Sequence, residues 1–316
     1  MLDLIISGLI QSAPLALATL GVVLIFKTSF TTNFAQGIIG TLSAYIVTYI
    51  LMPVPDITGN VPNPSVGEYL FAIIVGVLFG FVFAMLIDIL IFRKSKGSTS
   101  IGKQIITMGI VLIINGLIPT FFGVSDRSLP RIGAQFQGTF LNYPVKVIQW
   151  LFGLLNYNIL YHQAVSFFIS LVLILLIVLA LRYTKWGLGV RATASNEHVS
   201  SMLGVNTRVI TAMSWAIAGG LAAVSAILIS SSRGTFGNVT TYFMIPTQIQ
   251  AFFAAILGGF STFYGPIVGI VIFSILNSIL GVYLNPWGTT ILYLIILLVV
   301  LFKPLGLFGK KIAKKV

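Results

Sequence analysis

The chain has 316 residues, of which 57% are hydrophobic and 8% charged, against about 25% charged in soluble domains, and its mean hydropathy is +1.05. Soluble packing cannot hide that much apolar surface, so a soluble domain is excluded and a bundle of roughly eight to ten spans fits the length. The net charge of +12 lies in residues flanking apolar runs, so it reports membrane orientation rather than a nucleic-acid partner.

Nine apolar runs follow in order: Leu2–Phe26, Phe34–Met52, Glu68–Phe92, Ile101–Phe122, Leu160–Leu181, Val209–Ser231, Ile245–Gly259, Phe263–Leu284 and Thr289–Phe302. Asp3 and the missing basic leader argue against a cleaved signal peptide, so the first run is expected to be a retained span. The seventh and ninth are short for a hydrocarbon core of about 30 Å, and each reads as a full span or a re-entrant half-span.

Positive charge clusters at Arg93, Lys94, Lys96 and Lys103, again at Arg182, Lys185, Arg191 and Arg208, and finally at Lys303, Lys310, Lys311, Lys314 and Lys315. The positive-inside rule makes all three clusters cytoplasmic. The N-terminus is then outside, the C-terminus inside, and the loops 53–67, 123–159 and 232–244 outside. Arg127, Arg131 and Lys146 in the long outer loop weaken the contrast without reversing it. Met52–Gly67, rich in Pro, Gly and Asn, reads as irregular chain.

No residue set suggests an enzyme. Cysteine is absent, which removes disulfides, a thiol nucleophile and cysteine metal sites. His162 and His198 have no acidic cluster beside them, so no metal site is expected. "GSTSIGKQ", Gly97 to Gln104, imitates a phosphate-binding loop, but Gln104 replaces its Ser or Thr and no strand precedes it. It reads as a polar turn. Asp88 lies near the inner end of the third run and reads as an ion-pair or interface anchor, or else as a proton relay. Asn238 in "NVT" is a formal glycosylation sequon or a chance match.

Two passages share a grammar. "TSFTTNFAQGIIG" (Thr28 to Gly40) offers Thr31, Thr32 and Asn33 as helix caps, followed by Phe34, Gly37 and Gly40. "ILGGFSTFYGPIVG" (Ile256 to Gly269) has Ser261 and Thr262 before Phe263, Gly265 and Gly269, with Pro266 in a first turn. An aromatic followed by spaced glycines in both halves reads as a repeated transporter unit with interrupted helices, or as small-residue helix packing.

In order and spacing, these residues resemble the membrane permease subunits of branched-chain amino acid ATP-binding-cassette importers. The resemblance runs over nearly the whole chain, through "LALATLGVVLIF…NFAQGIIGTLSAY", "LIDILIFRK", "IITMGIVLI", "FFGVSDRSLP", "WGLGVRATASNEHVSSMLGVN", "SWAIAGGLAAVSAIL" and "QAFFAAILGGFSTFYGPIVG". In the fifth of these, Gly189, Arg191, Ala192, Asn196, Glu197 and Gly204 stand at matching places. Gln36, Ile38 and Gln250 depart from residues that are often His, Glu and Lys in such permeases, which bears on the substrate more than on the mechanism.

The resemblance implies an all-α polytopic bundle of about eight to nine spans, residues 1–316 forming one permease domain in a bacterial plasma membrane. The extracellular loop spans about 123–159 and a cytoplasmic coupling segment spans about 183–208. Implied partners are two ATPase subunits carrying ATP and Mg, a second permease subunit (related or identical), an extracellular or periplasmic solute-binding protein, and membrane lipid. No cofactor is expected on this chain.

The coupling segment suits docking into an ATPase groove. Gly187 and Gly189 loosen the exit from the fifth run, Arg191–Leu203 can form a short helix capped at Ser195 or Asn196, and Gly204 is a natural stop. Arg191 and Glu197 offer charge; Val199, Met202 and Leu203 offer an apolar patch. The plain alternative is a solvated loop. Asn33, Phe34, Gln36 and Gly37 in one half, with Ser261, Thr262, Phe263 and Gly265 in the other, are expected near the translocation path. Phe34 and Phe263 would act as an apolar gate, and the lack of charge at these positions fits a net-neutral solute. The same architecture importing urea, a short amide or another small solute is the nearest alternative. An ion-coupled secondary carrier is less favoured because Asp88 is nearly alone among intramembrane acids, and a scaffold role is less favoured still.

Overall fold

The computed structural model describes residues 1–52, 64–95, 97–131, 133, 136, 138–139, 141–232 and 237–309. Residues 53–63 of the expected irregular loop, Lys96, and the lysines at 310, 311, 314 and 315 lie outside the described residues.

Each apolar run forms a helix. They are α1 (Leu2–Ser29), α2 (Gln36–Leu51), α3 (Val66–Ile87, continued by a π-turn over Asp88–Phe92), α4 (Ser100–Phe122), α6 (Tyr161–Tyr183), α9 (Thr207–Ser232), α10 (Ile245–Gly258), α11 (Tyr264–Tyr283) and α12 (Gly288–Phe302). Six of these are long and apolar enough to cross a membrane, while α2, α10 and α12 are shorter. The second run therefore joins the seventh and ninth as a short element: the 16 residues of α2 span about 24 Å. The cause is local. The Asn33 side-chain oxygen accepts from the Ala35 amide at 2.9 Å, holding a turn that delays the helix to Gln36. The expected capping of α2 by Thr31, Thr32 or Asn33 does not occur; Ala35 stands at the cap position without a side-chain bond.

Helices α1 and α9 form the centre, with 78% of their apolar windows buried, against 22% for α4 and 28% for α3 and α6. The outer helices present Leu78, Ile105, Leu112 and Leu175 outward, as lipid-facing surfaces do. Close helix approach rests on small residues. A Cβ on Gly80 would lie 2.9 Å from the Gly219 carbonyl oxygen, and one on Gly40 would lie 2.7 Å from that of Ala222.

At one end of the bundle, β1 (Arg127–Leu129) pairs antiparallel with β2 (Gly237–Val239), Ser128 opposite Asn238. This ribbon puts the loops after α4 and α9 at the same end. It also explains the basic residue that blurred the loop-charge contrast. Arg127 is 8% exposed and donates to the carbonyls of Met52 and Phe122, both at 3.1 Å. It therefore satisfies the C-terminal carbonyls of α2 and α4. The same loop holds α5 (Asn142–Gly153), a helix not expected from sequence, with Val145 and Ile148 buried. At the opposite end lie α7 (Lys185–Ser195) and α8 (Glu197–Met202).

Candidate functional site

The polar segment after α6 folds as two helices, not one over Arg191–Leu203. The Thr184 hydroxyl accepts from the Gly187 amide at 3.0 Å and starts α7. Gly187 and Gly189 do not loosen this exit; both are buried within α7, and a Cβ on Gly189 would lie 2.5 Å from Ile210 Cδ1, so they press α7 against α6 and α9. Asn196, extended at φ −161° and ψ 111°, separates α7 from α8, and its side chain accepts from the Val199 amide at 3.1 Å. Asparagine prefers the cap to a helix interior, which is why the segment breaks there. Gly204, at φ +87°, supplies the left-handed stop that a side chain would disfavour.

Arg191 is occupied within the chain. Its guanidinium donates to the carbonyls of Leu181 at 2.8 Å and Arg182 at 3.3 Å, closing the end of α6 and fixing α7 to it. What α8 offers outward is apolar: Val199, Met202 and Leu203 are 48%, 73% and 79% exposed, with Glu197 and His198 exposed beside them.

The start of α9 is anchored as well. Asp88, in the π-turn of α3, is 4% exposed and faces Arg93 at 3.6 Å, the ion pair expected from sequence. Arg93 in turn donates to the Arg208 carbonyl at 3.0 Å. Phe92 packs on Trp215 with ring centroids 4.5 Å apart, and the Trp215 indole donates to the Ser29 hydroxyl at 3.1 Å. The ends of α1 and α3 are thus tied to α9. An R93A variant should lower stability by about 1–3 kcal/mol, because Asp88 is left buried without its partner. A thermal melt of the detergent-solubilised protein checks this, and an unchanged midpoint would contradict it.

The first of the two segments expected near the path is a buried junction. The Asn33 carbonyl accepts from Gln248 at 3.2 Å, the Phe34 amide donates to the Thr107 hydroxyl at 3.2 Å, and the Phe34 ring lies 5.2 Å from that of Phe252. Gln36, 1% exposed, donates to the Ala18 carbonyl at 3.0 Å. A Cβ on Gly37 would lie 3.1 Å from Gln248 Cβ. Asn33, Phe34, Gln36 and Gly37 therefore join α1, α2, α4 and α10.

The second segment turns from α10 into α11. Gly259 has φ +91°, and the Thr262 hydroxyl accepts from the Gly265 amide at 3.1 Å. The Ser261 carbonyl accepts from Lys27 Nζ at 2.7 Å, and that ammonium lies 4.7 Å from the Phe263 ring centroid, a cation–π distance. Gly265 faces Gly258 across the α10–α11 contact.

The two segments therefore border α1 and α10 at different levels. Ala18 and Lys27 are nine residues apart on α1, roughly 14 Å at 1.5 Å per residue. Phe34 and Phe263 take different partners, Phe252 and Lys27, instead of facing each other. The positions themselves carry no charge, but Lys27 brings a cation to the second segment. Lys27, Thr107, Gln248 and Phe252 were missed from sequence. Lys27 alone had a signal, as a cation at the end of a long apolar helix.

Comparison with known proteins bears on this architecture. Residues 4–301 match the family described as branched-chain amino acid transport system / permease component. The chain is similar to the high-affinity branched-chain amino acid transport system permease protein LivH of Escherichia coli K12, 24% identical over 98% of this chain and 96% of that one. It is also similar to the corresponding protein BraD of Pseudomonas aeruginosa, 24% identical over 100% of this chain and 98% of that one. The autoinducer 2 import system permease protein LsrC of Salmonella paratyphi B is 31% identical over 44% of this chain and 42% of its own length. No solved structure matches. A multi-pass helical bundle matched over nearly its whole length in this way belongs to the branched-chain amino acid transport system permease family of ATP-binding-cassette transporters.

Proposed function

We propose that this chain is the path-forming permease of an importer for branched-chain or other small neutral amino acids, working with two ATPase subunits, a second permease subunit and an extracellular binding protein. The observation that carries the reading is α8. It presents Val199, Met202 and Leu203 to solvent, yet it is held between two fixed anchors. Arg191 clamps α7 to α6, and Arg93 clamps the start of α9 to α3. A push on α8 from a closing ATPase pair would therefore move α6, α3 and α9 as rigid bodies, the kind of domain switch that alternating access needs. The ATPases supply the fuel; this chain supplies the lever and the walls of the path.

The orientation proposed with this reading puts the N-terminus outside and α7–α8 in the cytoplasm of a bacterial cell. Its support is the positive clusters around α7–α8, which outnumber the cations of the outer loop. Because the native chain lacks cysteine, single-cysteine variants S98C and S195C should stay unlabelled by a membrane-impermeant maleimide in intact cells and become labelled after lysis. Labelling of both before lysis would reverse the topology. Position 313, equally suitable by sequence, lies outside the described residues.

A second reading, the same architecture carrying urea, a short amide or another small solute, is favoured by Gln36 and Gln250, amides where related permeases often carry His and Lys. Screening the cognate binding protein against L-leucine, L-alanine, urea and acetamide separates the two. Tight binding of an aliphatic amino acid supports the first reading, and binding of urea or acetamide alone supports the second.

A further inference from the structure

The loop between α4 and α6 carries exposed apolar side chains on a built helix. α5 has 12 residues and packs Val145 and Ile148 into the bundle. Phe152 meets Phe167 of α6 edge-on, with ring centroids 5.8 Å apart, and Gln149 donates to the Ile159 carbonyl at 3.2 Å. A helix lying on a protein in water turns polar residues to its far side. The far side of α5 is apolar instead. Opposite Val145, at about 100° per residue, stand Tyr143, Trp150 and the capping Leu154, which are 79%, 63% and 63% exposed.

The two flanks of the helix differ from each other. Asn142, Lys146 and Gln149 make one polar stripe, and Lys146 is the only charge on α5. Across the helix from that stripe lie Pro144, Val147 and Leu151, of which Val147 and Leu151 are exposed. α5 therefore presents apolar surface to the bundle, outward, and on one flank, and polar groups on the other flank only. A helix lying in a membrane interface has this distribution, with one polar side to water and Trp and Leu toward lipid. Trp and Tyr are the residues that favour the headgroup level.

The depth agrees. α6 has 23 residues, about 35 Å, slightly longer than a hydrocarbon core of about 30 Å. Phe167 lies six residues beyond the start of α6 at Tyr161, about 9 Å along its axis. The end of α5 packed on Phe167 is therefore within the range of about 5–10 Å to which interfacial helices sink. From there the lipid-facing surface continues along α6, where Leu171 and Leu175 are exposed.

We propose that α5 is an interfacial anchor that docks on the lipid surface at the β-ribbon end of the bundle. Tyr143 and Trp150 sit among the headgroups, Leu151 and Leu154 reach the acyl chains, and the stripe of Asn142, Lys146 and Gln149 faces water. Part of the loop expected to be extracellular is then membrane-bound, and it holds the start of α6 at a set depth. The inference rests on the multi-pass membrane fold and not on the solute or the ATPase partners.

The test uses L151C, L154C and N158C, each as the single cysteine of the full-length chain, which has none of its own. Each is labelled with a nitroxide in phosphatidylcholine vesicles. Leu151 and Leu154 are exposed, so neither substitution removes core packing, and the exposed Asn158 serves as the water reference. Relaxation by dissolved oxygen, which concentrates in lipid, is compared with relaxation by a water-soluble nickel complex. The oxygen-to-nickel ratio at L151C and L154C should exceed that at N158C several-fold. Nickel access equal to that at N158C would put the face in water and overturn the anchor. Immobile labels shielded from both reagents would also overturn it, by showing a second copy of this chain on the face. A measurement without cysteine uses dibrominated phosphatidylcholine, which quenches tryptophan fluorescence at the acyl chains. W150F should lose a quenchable share of the emission relative to the unmodified chain, and an unchanged quenchable share would contradict the proposal.

Discussion

Replacing Met202 and Leu203 together with aspartate should leave the permease folded and in the membrane while abolishing ATP-driven uptake. Both side chains are more than two-thirds exposed, so the bundle loses almost no packing when they change. A partner that buries them loses two anchors. At ~2 kcal/mol for each anchor, the loss is ~4 kcal/mol, or about a thousandfold in docking affinity. Co-purification of the ATPase subunits and solute-stimulated ATP hydrolysis should both fall to background, with the binding protein's affinity for its solute untouched. Glu197→Lys, at the exposed first turn of α8, should give a smaller loss through charge alone. Arg191→Glu should behave differently: because Arg191 holds the end of α6, it should lower stability as well as coupling. Wild-type uptake in the double aspartate variant would remove α8 from the coupling role.

The second large effect is expected at the α10–α11 crossing. Leucine at Gly265 should prevent the protein from accumulating, instead of yielding an assembled but blocked permease. A Cβ there would lie 2.5 Å from the Thr262 hydroxyl and 3.1 Å from the Gly258 carbonyl carbon, and one on Gly258 would lie 2.6 Å from the Pro266 nitrogen. The obstacles include backbone, which cannot move aside as a flexible side chain can. Overpacking of this kind costs about 1–3 kcal/mol or more, a large share of a domain's stability. Gly37 provides the contrast. Two of its three nearest neighbours are side-chain atoms of Gln248, at 3.1 and 3.2 Å, so Gly37→Leu should displace Gln248, break its bond to the Asn33 carbonyl, and inhibit uptake in protein that still reaches the membrane. Immunoblots of membrane fractions beside uptake assays distinguish the two sites. Gly265→Leu protein at wild-type abundance with uptake lost would restore Gly265 to the path.

Much of the fold was legible because the bilayer imposes a strong pattern. Runs of about 20 apolar residues have few alternatives to a helix, and all nine runs are helical. The Asp88–Arg93 pair was legible because its members are five residues apart on one element. Asn196 and Gly204 were legible as punctuation, but Asn196 could cap one helix or divide two, and only the packing of Gly187 and Gly189 against α6 and α9 decides that α7 starts before Arg191. Helix α5 has a readable spacing at Val145 and Ile148, hidden in a loop of turn-forming residues. The Lys27 contact to Ser261 joins residues 234 positions apart, and no local signal predicts it. Arg127 looked like an orientation signal because its role depends on two helix ends that meet only in the folded bundle.

We propose that this chain forms a path powered through α8 by partner ATPases. Its most direct test is solute uptake into proteoliposomes holding the permease pair and ATPase subunits, with L-leucine-loaded binding protein outside and ATP inside. Uptake should require internal ATP, resist ionophores, and vanish in the Met202 and Leu203 double aspartate variant. Uptake driven by a proton or sodium gradient without the ATPase subunits would contradict the account.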